Sequence, residues 1–396
     1  MLIGLVGKPS VGKSTFFKAA TLAEVEIAAY PFTTIKPNHG VGYVKVECID
    51  KEFNVQCNPA HGFCINHWRF VPMDLMDVAG LVPGASEGKG LGNQFLDDLR
   101  QADVFIHLVD LSGTTDAEGK PLPEGSTYSP VEDVKFLENE LNLWYYNILN
   151  KVWRGFARKA EMEKAKFSDA VVKQFSGLKV NEEQVKAVLR SAGLPEKPTL
   201  WTNEQILKFA SSLREISKPM IIATNKCDHE NAKKNLAKLE AAYPNKLIYA
   251  CSADSELALR QAVKAGLIDY VPGNDHFEIK KNLSAGQKSA LEKIKKNVLD
   301  VYKGTGVQEI LNLAVFDLLK YIAIFPAGAN KLADSKGNIL PDCFLLPPDS
   351  TALDFAYHLH TDFGKNFIKA IDARSKMAWG KEHKLKHRDA LEIVTR

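Results

Sequence analysis

The sequence predicts an α/β fold whose main sheet is mostly parallel and has helices on both faces. Two observations support this prediction. Short apolar segments with the composition of strands recur along the chain and are separated by segments of helical composition. Several of these strands end in a short polar motif. A helical insertion and a small C-terminal domain of short strands and helices complete the predicted architecture.

The first predicted strand, Leu2 to Val6, leads into a glycine-rich loop. Residues 7–14 read Gly-Lys-Pro-Ser-Val-Gly-Lys-Ser and match the P-loop pattern G-x-x-x-x-G-K-[ST]. Two glycines permit a tight turn whose backbone N–H groups point at phosphate oxygens, next to a helix N-terminus. The motif alone is also compatible with an ordinary βα turn. The predicted phosphate-binding residues are Gly7, Ser10, Val11, Gly12, Lys13, Ser14, Thr15 and Gly80.

A magnesium ion and its sensors are predicted from two further loops. Ser14 is expected to ligate Mg²⁺ directly, and Asp77, at the end of a predicted strand, to hold it through water. In the proline-flanked loop after the first helix, Thr34 is the first candidate for a switch residue that senses the γ-phosphate and Mg²⁺, and Thr33 is the alternative. Gly80 completes a D-x-x-G motif whose N–H approaches the γ-phosphate.

The motif N-K-x-D at residues 225–228 predicts which base is bound. The Asp228 carboxylate can accept hydrogen bonds from N1–H and the N2 amine of guanine, whereas adenine offers no such pair of donors. Asn225 is expected to support the loop, and the stem of Lys226 to lie along the base. A backbone N–H near Ser252 and Ala253 is expected to meet guanine O6. GTP with Mg²⁺ is therefore the predicted ligand.

Changes in composition along the chain predict four segments. Residues 1–129 and 218–280 are expected to form the nucleotide-binding domain, 130–217 a helical insertion, 281–318 a helical connector and 319–396 the C-terminal domain. Within the last of these, Leu353 to His358 and Phe363 to Ala370 are predicted as helices. We expect this domain to be separable from the nucleotide-binding domain.

The end of the chain is basic. From Gly364 onward there are nine Lys and Arg residues and four Asp and Glu residues. We expect these cations to have no partner in the nucleotide-binding domain. Such a surface suits an RNA backbone, and a solvated basic face explains it equally well.

A cysteine-containing insertion covers residues 47–68. It holds Cys48, Cys57 and Cys64 together with His61 and His67, but no C-x₂-C pair. This spacing argues against zinc and favours a hairpin with small buried thiols. A metal-dependent enzyme that uses this insertion is kept as a separate alternative.

Composition narrows the function classes further. The net charge of the 396 residues is +3, so overall charge gives no argument for nucleic acid. There is no run of 18 apolar residues, no basic, apolar signal segment and only six cysteines. We therefore expect a reduced, cytoplasmic protein that does not bind a membrane.

The motifs together resemble the Obg/YchF-like translation-factor GTPases, in their archaeal and eukaryotic branch. Residues 30–34 and 77–96 resemble the two switches of that family. Residues 339–361 resemble a TGS domain, so the resemblance implies a small β-grasp-like α+β fold for the C-terminal domain. The resemblance implies a cytosolic GTPase that acts on the ribosome or RNA through its C-terminal domain. It also allows for a protein partner that activates hydrolysis.

Three positions bear on how far the resemblance extends. Many YchF proteins prefer ATP and have a glutamate at the end of the base motif, so Asp228 favours GTP here. Relatives stimulated by potassium have asparagine where this chain has Ser10. Leu81 stands where other GTPases have a water-orienting glutamine, so slow turnover is expected and the sequence identifies no catalytic group. An ATP-using enzyme and a scaffold with negligible hydrolysis remain as alternatives.

Overall fold

The computed structural model describes residues 1–21, 39–78, 100–162, 167–328, 331–334 and 336–396. Strands β1 to β14 are, in order, Leu2–Val6, His39–Glu47, Phe63–Ile65, Trp68–Asp77, Val104–Asp110, Met220–Asn225, Ile248–Ala250, Ile268–Asp269, Glu278–Ile279, Ile322–Pro326, Phe344–Leu346, Phe367–Asp372, Ala378–Trp379 and Ala390–Thr395. Helices α1 to α13 are Lys13–Thr21, Pro130–Asn150, Trp153–Met162, Phe167–Gln174, Glu182–Ser191, Asn203–Ser217, Ala232–Ala242, Ala253–Lys264, Ala285–Ile294, Asp300–Tyr302, Val307–Asn312, Ala352–Leu359 and Thr361–Lys365. Lys295–Leu299 and Leu313–Leu318 are π-helical.

The larger sheet confirms the predicted mostly parallel α/β core. In the described part of the chain its order is β2-β4-β1-β5-β6-β7, with β3 paired to β4. Strands β4, β1, β5, β6 and β7 run parallel, and β2 is antiparallel to β4. All seven residues of β5 are buried, as expected for a central parallel strand with covered faces. The loops after the five parallel strands therefore meet at one edge of the sheet.

Helices α2 to α6 lie between β5 and β6 in sequence. The apolar residues Leu137, Leu141 and Trp144 recur every three or four positions and are buried against one face of the sheet. Helix α6 begins with a capping box, in which the Thr202 side chain accepts from the Gln205 N–H and the Gln205 side chain accepts from the Thr202 N–H. The aromatic side chains of Tyr145 and Trp153 are buried in the same core.

The C-terminal part forms a second, mixed sheet in the order β11-β10-β14-β12-β13. Helix α12 packs on it through Phe355, which shares a core with Ile324 and Leu391. This small α+β arrangement is the predicted β-grasp-like module. The predicted helix over 363–370 is wrong, because α13 ends at Lys365 and residues 367–372 form β12. Backbone pairing of β12 with both β13 and β14 outweighs the local helical composition there.

Two basic residues near the end of the chain, Arg374 and Arg388, have partners in the nucleotide-binding part, contrary to expectation. Arg374 Nε lies 2.5 Å from Glu52 Oε2, and Arg388 Nη1 lies 3.2 Å from Glu47 Oε2. Arg388 also binds the second oxygen of Glu52. Glu47 ends β2 and Glu52 lies in the turn that follows it, and both carboxylates face the C-terminal part of the chain. Leu340, Cys343 and Ala390 share one hydrophobic core with β1 and β2, so a cut at residue 319 would expose that core.

Helix length bears on the question of a membrane span. No helix among the described residues is long and apolar enough to cross a bilayer.

Candidate nucleotide-binding site

The glycine-rich loop joins β1 to α1 at the carboxyl edge of the sheet. Gly7 and Gly12 have φ angles of +146° and +94°. A Cβ atom on Gly7 would lie 2.5 Å from the Leu108 carbonyl oxygen, and one on Gly12 would lie 2.3 Å from Asn225 Nδ2. Ser10 also has a positive φ, of 65°. Only glycine fits at the two ends of the loop, which therefore has the tight shape that a phosphate cradle requires.

The Lys13 side chain folds back onto the backbone of the glycine-rich loop. Its Nζ donates hydrogen bonds to the carbonyl oxygens of Gly7, at 3.1 Å, and Lys8, at 2.8 Å. Burial lowers the pKa of Lys13 to about 8, although the nearby Asp77 carboxylate acts in the opposite direction. A partly desolvated ammonium group gains most from an anion placed beside it. The lysine is thus in position for a phosphate group.

Ser14 and Asp77 come together although they are far apart in sequence. Ser14, in the first turn of α1, donates from Oγ to Asp77 Oδ2 at the end of β4, at 2.8 Å. A hydroxyl and a carboxylate are hard oxygen donors of the kind that Mg²⁺ takes. The pair therefore fits a magnesium ion. The other expected sensors, Thr33, Thr34, Gly80 and Leu81, lie outside the described residues.

Asn225 connects three loops of the site. Its buried side chain donates from Nδ2 to the Val11 carbonyl at 2.8 Å, and its Oδ1 accepts from the Ala253 N–H at 3.0 Å. Val11 belongs to the phosphate loop, and Ala253 begins α8 after β7. A single amide thus holds the loops predicted to bind the phosphates and the base in fixed relative positions.

The residues expected to recognise the base lie together at the ends of β6 and β7. Asp228 is exposed, and its Oδ1 accepts a hydrogen bond from Ser252 Oγ at 2.8 Å. Ser252 also caps α8, since its side chain accepts from the Ser255 N–H. The Asp228 carboxylate is thereby held in one orientation while it faces solvent.

Asp110 is a member of the site that the sequence analysis missed. It accepts from Lys226 Nζ at 2.7 Å and from the N–H and Oγ of Ser112 at 2.8 and 2.6 Å. Burial alone would raise the pKa of Asp110, but the hydrogen bonds from Lys226 and Ser112 hold it below the ordinary value. Lys226, which has a φ of 63°, is thereby fixed. The available signal was an aspartate at the end of an apolar strand, as at Asp77.

Lys8 is a second residue that the motif did not identify, because it stands at a variable position. Its buried Nζ lies 3.2 Å from Asp133 Oδ1 and donates to the Thr115 carbonyl at 3.1 Å. It also lies 4.0 Å from the centre of the Tyr128 ring. Burial raises the pKa of Asp133 to about 6, against the effect of Lys8. Lys8 therefore anchors the segment between β5 and α2 to the phosphate loop.

Comparison with known proteins places this geometry in a family. A model described as "50S ribosome-binding GTPase" matches residues 2–143, one described as "Obg-like GTPase YGR210-like, G4 motif-containing domain" matches 223–328, and a TGS domain model matches 326–395. An uncharacterized GTP-binding protein of Methanocaldococcus jannaschii is 48% identical over 100% of this chain and 99% of its own. The chain belongs to the Obg/YchF-like GTPases.

Other relatives of this Obg/YchF-like GTPase agree in fold and differ in the nucleotide that their names give. The crystal structure of a GTP binding protein from Pyrococcus horikoshii is 39% identical, covers both chains completely and superposes with a TM-score of 0.77. A Bacillus subtilis protein named ribosome-binding ATPase YchF is 29% identical over 93% of this chain and 87% of its own. Family membership confirms the resemblance and the fold predicted from the motifs, including the TGS domain.

Proposed function

We propose that this GTPase-family chain binds GTP with Mg²⁺, hydrolyses it slowly and acts as a molecular switch on the ribosome or its RNA. The main support is the junction at Asn225, which joins the phosphate loop to the loops that present Asp228 and Ala253. A chain that only retained an ancestral fold would not need both ends of a nucleotide site held by one buried amide.

The guanine preference rests on Asp228. A carboxylate with one oxygen fixed by Ser252 can accept from N1–H and the N2 amine of guanine, whereas adenine has a bare N1 facing that position. A site built to receive hydrogen-bond donors rejects a ligand that lacks them, because its acceptors are left unpaired. In this proposal the Ala253 region supplies a backbone N–H to guanine O6.

At the phosphate end of the site, different residues are proposed to bind the phosphates, hold the metal ion and sense the γ-phosphate. The loop from Gly7 to Thr15, with Ser10 and Val11, directs backbone N–H groups at the phosphates, and Lys13 supplies a cation. Ser14 and Asp77 hold Mg²⁺, which when bound neutralises charge on the transferred phosphoryl group. Thr34 and Gly80 are the proposed sensors of the γ-phosphate. Leu81 cannot orient water, which is why slow turnover and help from a partner are proposed.

The nucleotide assignment is tested by equilibrium competition between a fluorescent GTP analogue and unlabelled GTP, ATP and XTP. Asp228→Asn should weaken GTP binding by about 2–4 kcal/mol, which is about 30- to 700-fold, and improve binding of XTP. Glu230→Gln is the matched control, since it removes an exposed carboxylate two residues away. Equal affinity of the wild type for ATP and GTP would reject the guanine assignment and favour the ATP-using alternative that the Bacillus subtilis name suggests.

Contact with the ribosome is proposed through the C-terminal domain. Lys365 and Lys369 are exposed there, next to the exposed apolar side chains Phe363 and Ile368. Cations for phosphate beside a ring for base stacking suit structured or single-stranded RNA. Relatives are named ribosome-binding, and a ribosomal partner would place the protein in the cytoplasm.

Co-sedimentation of the full chain with ribosomes tests this surface. Replacing Lys365 and Lys369 by Glu should abolish co-sedimentation at moderate salt and leave GTP affinity unchanged. The same charge reversal at Lys288 and Lys293, exposed on α9, is the control and should have no effect. If both double variants co-sediment as the wild type does, the docking surface lies elsewhere. Turnover that is absent with and without ribosomes would favour the occupancy scaffold.

A further inference from the structure

The turn that follows β2, together with strand β3, brings together four side chains of types that can bind metals. One donor atom from each of Cys48, Asp50, Cys57 and Cys64 lies within 4.8 Å of all the others. The Sγ atoms of Cys48 and Cys57 are 3.6 Å apart, and Cys64 Sγ is 3.9 Å from Asp50 Oδ2. The cysteine spacings C-x₈-C and C-x₆-C gave no zinc pattern in the sequence, but the fold brings the thiols to one point.

The separations of 3.6 and 3.9 Å are close to the edge lengths of a small tetrahedron. With Zn–S bonds of about 2.3 Å and Zn–O bonds of about 2.1 Å, neighbouring ligand atoms of a tetrahedral site are about 3.6–3.8 Å apart. Three sulfurs and one carboxylate oxygen make a complete four-ligand shell with no open position. A closed shell is the mark of a structural site rather than a catalytic one.

The surroundings stabilise the ligands in this arrangement. Cys48 and Asp50 are fully buried and Cys57 is nearly so. Asp50 Oδ2 accepts from the Cys57 N–H at 3.2 Å, and Asp50 Oδ1 pairs with His67 Nδ1 at 2.9 Å. Ligating carboxylates typically have such outer hydrogen-bond partners. Burial of a carboxylate among thiols is costly unless a cation compensates it.

A buried arginine beside the cluster supplies a second, independent observation. Arg69 is completely buried and donates from Nη1 to the Leu340 carbonyl at 3.0 Å, but its Nε and Nη2 have no hydrogen-bond partner among the described residues. In the antiparallel pairing of β3 with β4, Arg69 lies directly opposite Cys64. Three thiolates and one carboxylate around a divalent ion leave two negative charges, which a buried guanidinium would partly balance.

We propose that Cys48, Asp50, Cys57 and Cys64 bind one structural zinc ion. The ion would fix the loop on which the C-terminal domain docks. In that loop the Asn58 and Ala60 N–H groups donate to the carbonyls of Ile339 and Pro341 at 3.1 and 2.8 Å. His61 pairs with Asp342 at 2.7 Å. The metal thus joins the nucleotide-binding sheet to the TGS domain, and this role does not depend on the identity of the nucleotide.

Metal analysis of the full chain, purified under reducing conditions without a metal-binding tag or chelator, tests the proposal. We expect about one zinc ion per chain, because four donors fill one tetrahedral shell. After replacement by Co²⁺, the visible spectrum should show tetrahedral d–d bands and a thiolate charge-transfer band. Cys57→Ala should lose the metal. Cys343→Ala, which removes a buried thiol of the same core outside the ligand set, should keep it.

A second variant, in which all four proposed ligands are unchanged, tests the proposal if Cys57→Ala does not fold. His67→Ala removes the half-exposed partner of Asp50 and should weaken metal binding by about 10- to 100-fold in a chelator competition. The proposal is overturned if the wild type neither contains metal nor takes up Co²⁺. Zinc retained by Cys57→Ala, or a Cys48–Cys57 disulfide found by mass spectrometry in freshly purified protein, would also overturn it.

Discussion

Replacing Asn225 by Ala tests whether one amide holds the nucleotide site together. The side chain is only 3% exposed. Its removal leaves the Val11 carbonyl without its donor at 2.8 Å and the Ala253 N–H without its acceptor at 3.0 Å. These two groups belong to loops at opposite ends of the proposed ligand, so the change should be felt in both stability and binding.

The magnitude follows from the two groups left unpaired. A buried polar group that loses its partner costs about 1–3 kcal/mol, so the two together predict a loss of about 2–6 kcal/mol in unfolding free energy. If the loops relax until water reaches the Val11 carbonyl and the Ala253 N–H, the folded protein loses less stability. The relaxed loops must then be reordered when the nucleotide binds, so the free energy of binding becomes less favourable. There, even 2 kcal/mol weakens GTP by about 30-fold.

The assay combines urea unfolding of the nucleotide-free protein with GTP titration of the same samples. Asn235→Ala is the matched control, because Asn235 is 6% exposed and donates to the Leu111 carbonyl at 2.9 Å, away from the phosphate loop. It should lower stability by about 1–3 kcal/mol and leave GTP affinity unchanged. An Asn225→Ala protein with wild-type unfolding midpoint and wild-type affinity would refute the reasoning.

Three further predictions concern other parts of the chain. Because the pKa of Lys13 is lowered from 10.5 to about 8, GTP affinity should fall above pH 8. In that window the unfolded chain keeps the proton that the folded chain loses, so the stability of the nucleotide-free protein should rise with pH; titrations between pH 7 and 10.5 check both signs. Gly12→Ala should weaken GTP by more than about tenfold, because its Cβ would collide with Asn225, whereas Gly155→Ala, with nothing within 4 Å, should bind normally. Glu52→Gln should lower stability by about 0.5–2 kcal/mol at low salt, and a loss that persists undiminished at high salt would contradict the ion-pair explanation.

The sequence predicted those features that depend on local patterns. The strand before Gly7 was predicted with its observed bounds. Ser14 and Asp77, which were both expected at one magnesium ion, lie within hydrogen-bond distance of each other. The strand follows from its local run of apolar residues. The closeness of Ser14 and Asp77 follows from the rule that loops at the carboxyl ends of parallel strands share one edge.

Features that depend on distant contacts were not predictable in this way. Lys8 stands at a variable position of the motif. The local sequence therefore does not predict its ion pair with Asp133, which lies 125 positions further along the chain. The helix predicted across residues 363–370 was wrong because strand pairing with β13 and β14 decides that segment. The cysteine cluster depends on how the turn after β2 folds back onto β3 and β4, which spacing alone does not specify.

The two ends of strand β2 lie near different functional parts of the proposed mechanism. The strand begins at His39, five residues after Thr34 in sequence, and it ends at Glu47, whose carboxylate binds Arg388 of the TGS domain. All nine residues pair with β4 in an unbroken register, over a length of about 30 Å. A slip by one residue would turn every side chain to the opposite face. Strand β2 therefore connects the TGS domain rigidly to the position where the proposed switch begins. A displacement at one end of β2 would be transmitted along the whole strand to the other end.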